Sequence, residues 1–165
     1  MRDSKKVSVS ERLLLNRQPD FYFKTKIEAH VVKKNNRPIH GRGDKKWIGK
    51  SSRLRNAESW LDLALRSYAN QIGFRTPLAG DIHATFRFYF NNYFTVKNER
   101  SRTLPDLSNL FELPQDCLQS AGIIVNDTDI VSLNGSGRFP SKDNELEIEL
   151  YLIKQGIYGH IANDP

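Results

Sequence analysis

Alternating apolar and polar residues predict strands in four parts of the chain. Apolar side chains occupy every second position, apart from Thr25, over Phe21–Val31, Ile82–Phe90 and Leu146–Ile153, and a shorter apolar run covers Ile130–Leu133. A period of two places these side chains on one face of a strand. In the last long segment three glutamates alternate with the apolar residues, so that strand has one apolar and one acidic face. The glycines leading to Gly137 predict a turn between the final two strands.

Apolar residues spaced three and four apart predict two helices. The first covers Ser52–Ile72, and Gly73 supplies its stop. The second covers Asp106–Ala121 and ends at Gly122; Pro114 should interrupt it, because proline has no amide donor and clashes with the preceding turn. The apolar stripe of the first helix comprises Leu54, Ala57, Leu61, Ala64, Leu65, Tyr68 and Ile72.

These elements predict an α+β fold: a small mixed or antiparallel sheet with about two helices packed on one face. The 165 residues suit one domain with its own core. We expect an N-terminal extension over residues 1–20, the domain over 21–155 and a tail over 156–165. The polar, basic stretch Asn91–Thr103 should be a loop.

Positive charge is concentrated in one part of the sequence. Between Lys33 and Arg55 there are nine Lys or Arg and a single acid, Asp44, for a local charge of +8 against +6 for the whole chain. A basic segment of this kind indicates that the protein binds a polyanion, above all a nucleic acid. The alternative is an extended loop or hairpin whose charges are only solvated. Within it, Trp47 suits either stacking on an unpaired base or anchoring in the core.

Several classes of protein do not fit the composition. A single cysteine, Cys117, excludes an internal disulfide, and the four histidines lack metal-ligand spacing. The N-terminal apolar run is too short for a signal sequence, and no stretch approaches the ~20 apolar residues of a membrane span. We therefore expect a cytoplasmic protein with no membrane partner.

Two acidic clusters are candidates for chemistry. PDLSNL (105–110) opens the second predicted helix, and VNDTD (125–129) follows a short apolar run. Hard cations such as Mg²⁺ take oxygen ligands, usually one or two carboxylates with water and a substrate phosphate. Such an ion can activate water for phosphodiester hydrolysis. The spacing alone leaves simpler roles open, because Asp also caps helices and Asn-Asp pairs also form turns.

The two clusters closely resemble the signature of the RusA family of Holliday junction resolvases. That family opens a helix with D-x-D-N and carries G-x-x-x-D-D-x-x-[VI] about twenty residues later, to be compared with PDLSNL and GIIVNDTDIV here. The earlier stretch NNRPIHGRGDKKWIGKSSRLRNAESWLDLAL resembles that family's basic loop and first long helix. The resemblance spans roughly Phe21 to Ile153. It implies a homodimeric, Mg²⁺-dependent endonuclease that cuts branched double-stranded DNA symmetrically at four-way junctions.

The resemblance assigns the site residues and also shows departures. Asp106 and Asp127 match the family's catalytic, metal-binding acids. Ser108 replaces the second acid of D-x-D-N, and a hydroxyl neither balances a divalent charge nor serves as a base near neutral pH. Glu112 stands where some members have an important lysine, and Pro114 interrupts a helix that the family runs through. Glu112, four residues after Ser108, and Asp129 are candidate substitutes for the missing acid.

DNA contacts are expected from basic residues near these motifs, because arginines beside a metal site can hold the phosphates that flank the scissile one. They are Arg37, Arg42, Lys45, Lys46, Lys50, Arg53, Arg100 and Arg102. Two further functions remain open. One is a junction-binding protein of the same fold that has lost cleavage; the other is a basic RNA-binding domain.

Overall fold

The computed structural model describes residues 17–27, 39–42, 45–48, 52–101 and 104–153. The strands and helices follow in this order: β1 (Phe21–Lys26), β2 (Ile39–Arg42), β3 (Lys45–Ile48), α1 (Ser52–Gln71), β4 (Ile82–Phe90), α2 (Leu107–Ser120), a 3₁₀ turn (Asp127–Asp129), β5 (Ile130–Ser132), β6 (Gly137–Pro140) and β7 (Glu145–Leu152). No helix in these ranges is long and apolar enough to cross a membrane.

A five-stranded mixed sheet forms the centre of the fold. Its order is β1-β7-β4-β5, with β6 also paired to β4. β7 is antiparallel to both of its neighbours, whereas β5 and β6 are parallel to β4. β5 pairs with the start of β4 and β6 with its end, so the two short strands share one edge of β4. The predicted α+β class with a mixed sheet is confirmed.

The core lies between one face of this sheet and the two helices. The alternating apolar residues of β4 and β7 are buried, as their period of two predicts. Phe111 of α2 lies over Phe86 and Phe88 of β4, with ring centroids 6.0 and 6.3 Å apart. Tyr68 of α1 meets the rings of Phe21 and Phe23 edge to face. Both helices therefore cover the same apolar face.

The opposite face of the sheet carries a polar network. Arg87 of β4 pairs with Glu147 at 3.2 Å and with Glu149 at 3.0 Å. The hydroxyl of Tyr89 donates to Glu147 at 2.7 Å, and that of Tyr151 donates to Glu149 at 3.2 Å. The acidic face predicted for the last strand is thus paired with an arginine and two tyrosines.

Both helices end in the same backbone motif. At the end of α2, Gly122 has a φ of 73° and its N–H donates to Gln119 O, while Ile123 N–H donates to Leu118 O. At the end of α1, Gly73 has a φ of 70° and the equivalent bonds run from Gly73 to Asn70 and from Phe74 to Ala69. These are Schellman motifs, which favour glycine because L side chains are strained at positive φ. The predicted helix stops are confirmed.

Two local predictions were wrong, and one strand was not predicted. α2 runs through Pro114 without a break, because the residues around the proline are buried against the core and hold the helix despite one missing amide donor. Ile72 is half exposed, and Ala69 takes its place in the buried stripe. The turn predicted before Gly137 does form, with Ser136 N–H donating to Leu133 O, but strand β6 follows it, and its pairing with β4 is not encoded by the local composition.

Candidate functional site

Asp106 is the N-cap residue of α2. Its backbone is extended, with φ −64° and ψ 141°, and its carbonyl accepts from Leu110 N–H. An aspartate in this position ordinarily accepts a hydrogen bond from the amide two or three residues on. The Asp106 side chain forms no such bond and is exposed. Its carboxylate is therefore exposed at the start of the helix and is not used as a cap.

The chain leading to Asp106 is held in place by a distant strand. Leu104 and Pro105 are buried, and a guanidinium nitrogen of Arg138 donates to Pro105 O at 2.6 Å. Arg138 lies on β6 opposite Phe88 of β4, so the sheet positions the donor. Arg138 is not identifiable from the sequence, because a lone arginine in a glycine-rich segment carries no local signal.

Asp127 opens the 3₁₀ turn after α2. The Asn126 side chain caps this turn by accepting from Thr128 N–H at 3.0 Å. The N–H of Asp127 donates to the side-chain oxygen of Gln119 at 3.1 Å. The segment before the turn is fixed as well, since Leu78 N–H donates to Ile123 O and Val125 N–H donates to Leu78 O. Asp127 is thereby attached to the last turn of α2.

The two predicted acids are associated with opposite ends of α2. An α-helix rises 1.5 Å per residue, so about 20 Å separates the α-carbons of residues 106 and 119. Between them, the outer face of the helix presents Ser108 and Glu112, both exposed. Within the described ranges, no three or more His, Cys, Asp and Glu side chains form a group that could hold a metal ion. Ser108 thus leaves a neutral position between the two acids.

A groove between α1 and α2 is lined mainly by acidic and small polar side chains. Glu58 and Asp62 of α1 face Asp116 and Gln119 of α2 across it. Arg66 closes one side by donating to Asp62 at 2.7 Å and to the carbonyl of Ser120. Its hydrogen bond holds the pKa of the Asp62 carboxyl below the ordinary value. The acidic lining disfavours entry of a phosphate backbone into the groove itself, so DNA is expected to contact the surface outside it.

The predicted DNA contacts are partly described. Arg53 and Arg100 are exposed, the first on α1 and the second just before the approach to Asp106. Arg42, Lys45 and Lys46 lie on the antiparallel hairpin of β2 and β3, where Arg42 is opposite Lys45. The other three, Arg37, Lys50 and Arg102, lie outside the described residues. The role of each as a DNA contact stays a prediction.

Fold and site together define a class: a small α+β domain that presents one acid at a helix start and a second after the chain returns from that helix. A sequence model of the family described as endodeoxyribonuclease RusA matches residues 23–151, from β1 to β7. The chain belongs to this family. Membership supports a general role as a Holliday junction endonuclease acting on branched DNA. The comparison with curated proteins found no match.

Proposed function

We propose that this protein cleaves four-way DNA junctions by Mg²⁺-dependent phosphodiester hydrolysis, with Asp106 and Asp127 as the catalytic carboxylates, each of which would bind metal at its own end of α2. The main support for the proposal is that the Asp106 carboxylate is exposed at the start of a helix and makes no cap hydrogen bond. A carboxylate beside the positive end of a helix, not used for capping, suits a metal and phosphate site.

A single carboxylate at either end of α2 fits a hard divalent cation. Mg²⁺ is usually bound by one or two carboxylates, with water and substrate phosphate completing its coordination. When bound, such an ion supplies an activated water and offsets charge on the scissile phosphate. The chain's own contribution is placement: Arg138 fixes the approach to Asp106, and Gln119 fixes the backbone of Asp127.

The DNA would be held by the basic hairpin and the exposed arginines. Arg42, Lys45 and Lys46 fall within the segment of +8 local charge, and Arg53 follows at the start of α1. Phosphate contacts supply most of the sequence-independent affinity and make it dependent on salt. We further propose that two copies form a homodimer, as the family resemblance implies, because symmetric cuts across a junction need two sites.

The test is cleavage of a labelled four-way junction at neutral pH, with and without Mg²⁺, by the native chain and by Asp127→Asn and Asp106→Asn. The expected result is paired nicks that require Mg²⁺ and are lost in both variants. A gel shift in Ca²⁺ should show that the variants still bind the junction. Cleavage that persists in both variants would contradict the assignment of the acids.

A second candidate is a junction-binding protein without cleavage. It is favoured by the neutral Ser108 and by the lack, in the described part of the chain, of any group of three or more His, Cys, Asp and Glu side chains that could hold a metal ion. Tight, junction-selective binding with no cuts by the native chain would support it. An RNA-binding role remains the third hypothesis, and competition for binding decides it. Preference for RNA over the four-way junction would exclude both DNA functions.

A further inference from the structure

The connection from β4 to Asp106 contains a formed hairpin over residues 91–100, here called the 91–100 hairpin. Its turn is closed by Thr95 N–H to Glu99 O at 2.7 Å and by Asn98 N–H to Thr95 O at 2.9 Å. Asn98 has a φ of 58°, a left-handed conformation that asparagine tolerates better than most residues. Ser101 N–H returns to Tyr93 O at 2.9 Å. The sequence predicted only a loop here.

The tip of this hairpin exposes two apolar side chains. Phe94 is 50% exposed and Val96 is fully exposed. Tyr93, which precedes Phe94, packs against the core. Its ring meets that of Phe94 edge to face, with centroids 5.1 Å apart. Tyr93 therefore supports the Phe94 ring from one side and leaves the rest of it accessible. Phe94 itself contributes little to the core.

Positive charge flanks this aromatic ring. Lys97 and Arg100 are exposed, and the backbone of Arg100 bridges to that of Phe94. Glu99 is the single acid of the 91–100 hairpin. An accessible aromatic face beside cations is the usual arrangement for stacking on a base while holding its phosphates.

The hairpin also lies near the proposed cleavage site. Asp106 is the sixth residue after Arg100, and six extended residues span at most about 20 Å. At about 3.4 Å per nucleotide, this distance corresponds to roughly six nucleotides. A DNA strand with a phosphate near Asp106 would therefore have bases within reach of Phe94.

We propose that Phe94 stacks on a base at the branch point of the junction, while Lys97 and Arg100 hold the phosphates on either side. In intact duplex DNA every base face is covered by its neighbours, whereas strand exchange at a branch point can leave a face uncovered. Phe94 therefore recognises branched DNA in preference to duplex. This inference rests on the proposed function and adds to it the residue that selects the DNA structure.

The test compares Phe94→Ala with Trp60→Ala in Ca²⁺, which permits binding without cleavage. Trp60 is a matched control because it is an aromatic residue of α1 with 46% exposure. Phe94→Ala should weaken junction binding about tenfold and leave duplex binding unchanged, since stacking on an aromatic side chain contributes at that level. Trp60→Ala should bind both DNAs like the native chain, and Phe94→Trp should retain junction selectivity.

Two further measurements test the stacking contact and the phosphate contact separately. A fluorescent adenine analogue at the branch point should change its emission on binding of the native chain and much less with Phe94→Ala. Lys97→Ala should reduce the slope of log affinity against log salt by about one and keep the preference for junctions.

Failure of the inference and failure of the proposed function give different experimental results. If the native chain binds and cuts junctions but Phe94→Ala has the same affinity and fluorescence change, the inference is wrong and the proposed function stands. If the native chain neither prefers nor cuts junctions, the proposed function fails and the inference fails with it.

Discussion

At the scale of single residues, two side chains at the start of α2 depart from their usual roles. Asp106 occupies the N-cap without capping, and Ser108 is neutral where the family motif has an acid. The exposed first turn of a helix tolerates an added negative charge, because the helix dipole favours it. Ser108 therefore differs from the family motif in its missing carboxylate, and substitution by an acid should restore that carboxylate.

We predict that Ser108→Asp raises Mg²⁺-dependent cleavage of a four-way junction by at least about tenfold, because a second carboxylate adds charge that balances the ion. Initial rates measured over a range of Mg²⁺ concentrations check this. Ser67→Asp, an exposed serine of α1, adds the same charge away from the site and should leave the rate unchanged. A Ser108→Asp chain no faster than the native one would show that the neutral residue is compensated elsewhere.

Arg138 is the residue that connects the sheet to Asp106. We predict that Arg138→Met lowers the cleavage rate and raises the Mg²⁺ concentration needed for half-maximal rate, because Pro105 loses the donor 2.6 Å from its carbonyl. Loss of a hydrogen bond from a charged group should also cost about 1.5–3 kcal/mol of the free energy of unfolding.

The matched control for Arg138 is Arg87→Met. Arg87 pairs with Glu147 and Glu149 on the opposite face of the sheet, so its loss should reduce stability and leave the Mg²⁺ requirement unchanged. Rates and denaturant unfolding of both variants separate a positioning role from a structural one. Identical Mg²⁺ dependence in the two variants would remove Arg138 from the site.

At the scale of elements, the end of α2 decides where the second acid is placed. The Schellman motif at Gly122 turns the chain into the buried Ile123 and Ile124, and the 3₁₀ turn with Asp127 follows. α1 ends in the same motif at Gly73, from which the chain reaches the segment before Asp127 only through the backbone hydrogen bonds of Leu78. The two glycines thus offer a matched pair, because neither would bring an added Cβ within 4 Å of another residue.

We predict that Gly122→Ala and Gly73→Ala each reduce the free energy of unfolding by about 1–2 kcal/mol, the cost of an L residue at positive φ. Urea denaturation measures this. Gly122→Ala should in addition slow junction cleavage under conditions where both variants are folded, because it disturbs the path to Asp127. Equal activity in both variants would mean that the end of α2 does not set the position of that acid.

At the scale of the whole molecule, the sheet has one face in the core and one lined by polar side chains. His83 lies on the polar face and is only 6% exposed. Its Nδ1 is 3.0 Å from Ser132 Oγ, and its ring lies beside that of Tyr151. Burial lowers the pKa of His83 below its ordinary value, and the charge of Glu149 opposes that shift only in part. The folded protein therefore favours the neutral imidazole.

We predict that the free energy of unfolding falls as the pH is lowered from 7 through about 6.5, where an unperturbed histidine titrates. In this window the unfolded chain binds a proton that folded His83 does not, so acid favours unfolding until the pH reaches the lowered pKa of the folded state. Urea denaturation at several pH values should show a smaller decline for His83→Gln. Other groups contribute equally to both chains, and equal slopes would contradict the prediction.

Much of the fold could be predicted from the chain, but only part of the site. The alternation in β4 and β7, the stripe of α1 apart from Ile72, and the two glycine stops were confirmed, because each depends on neighbours within one or two turns of backbone. Strand β6 and the passage of α2 through Pro114 were not predictable. Both depend on segments far away in the sequence, which supply the pairing and the burial.

The sequence by itself determined the elements, the basic segment and the two acidic motifs, because period, charge and motif spacing are local properties. Only the tertiary structure decided that Arg138 holds Pro105, that Asp127 is bonded to Gln119 and that Phe94 is exposed beside Lys97 and Arg100. These contacts follow from how the sheet pairs and how α2 packs on it. The fine placement of the acids is therefore a consequence of packing, which acts between residues that the sequence keeps apart.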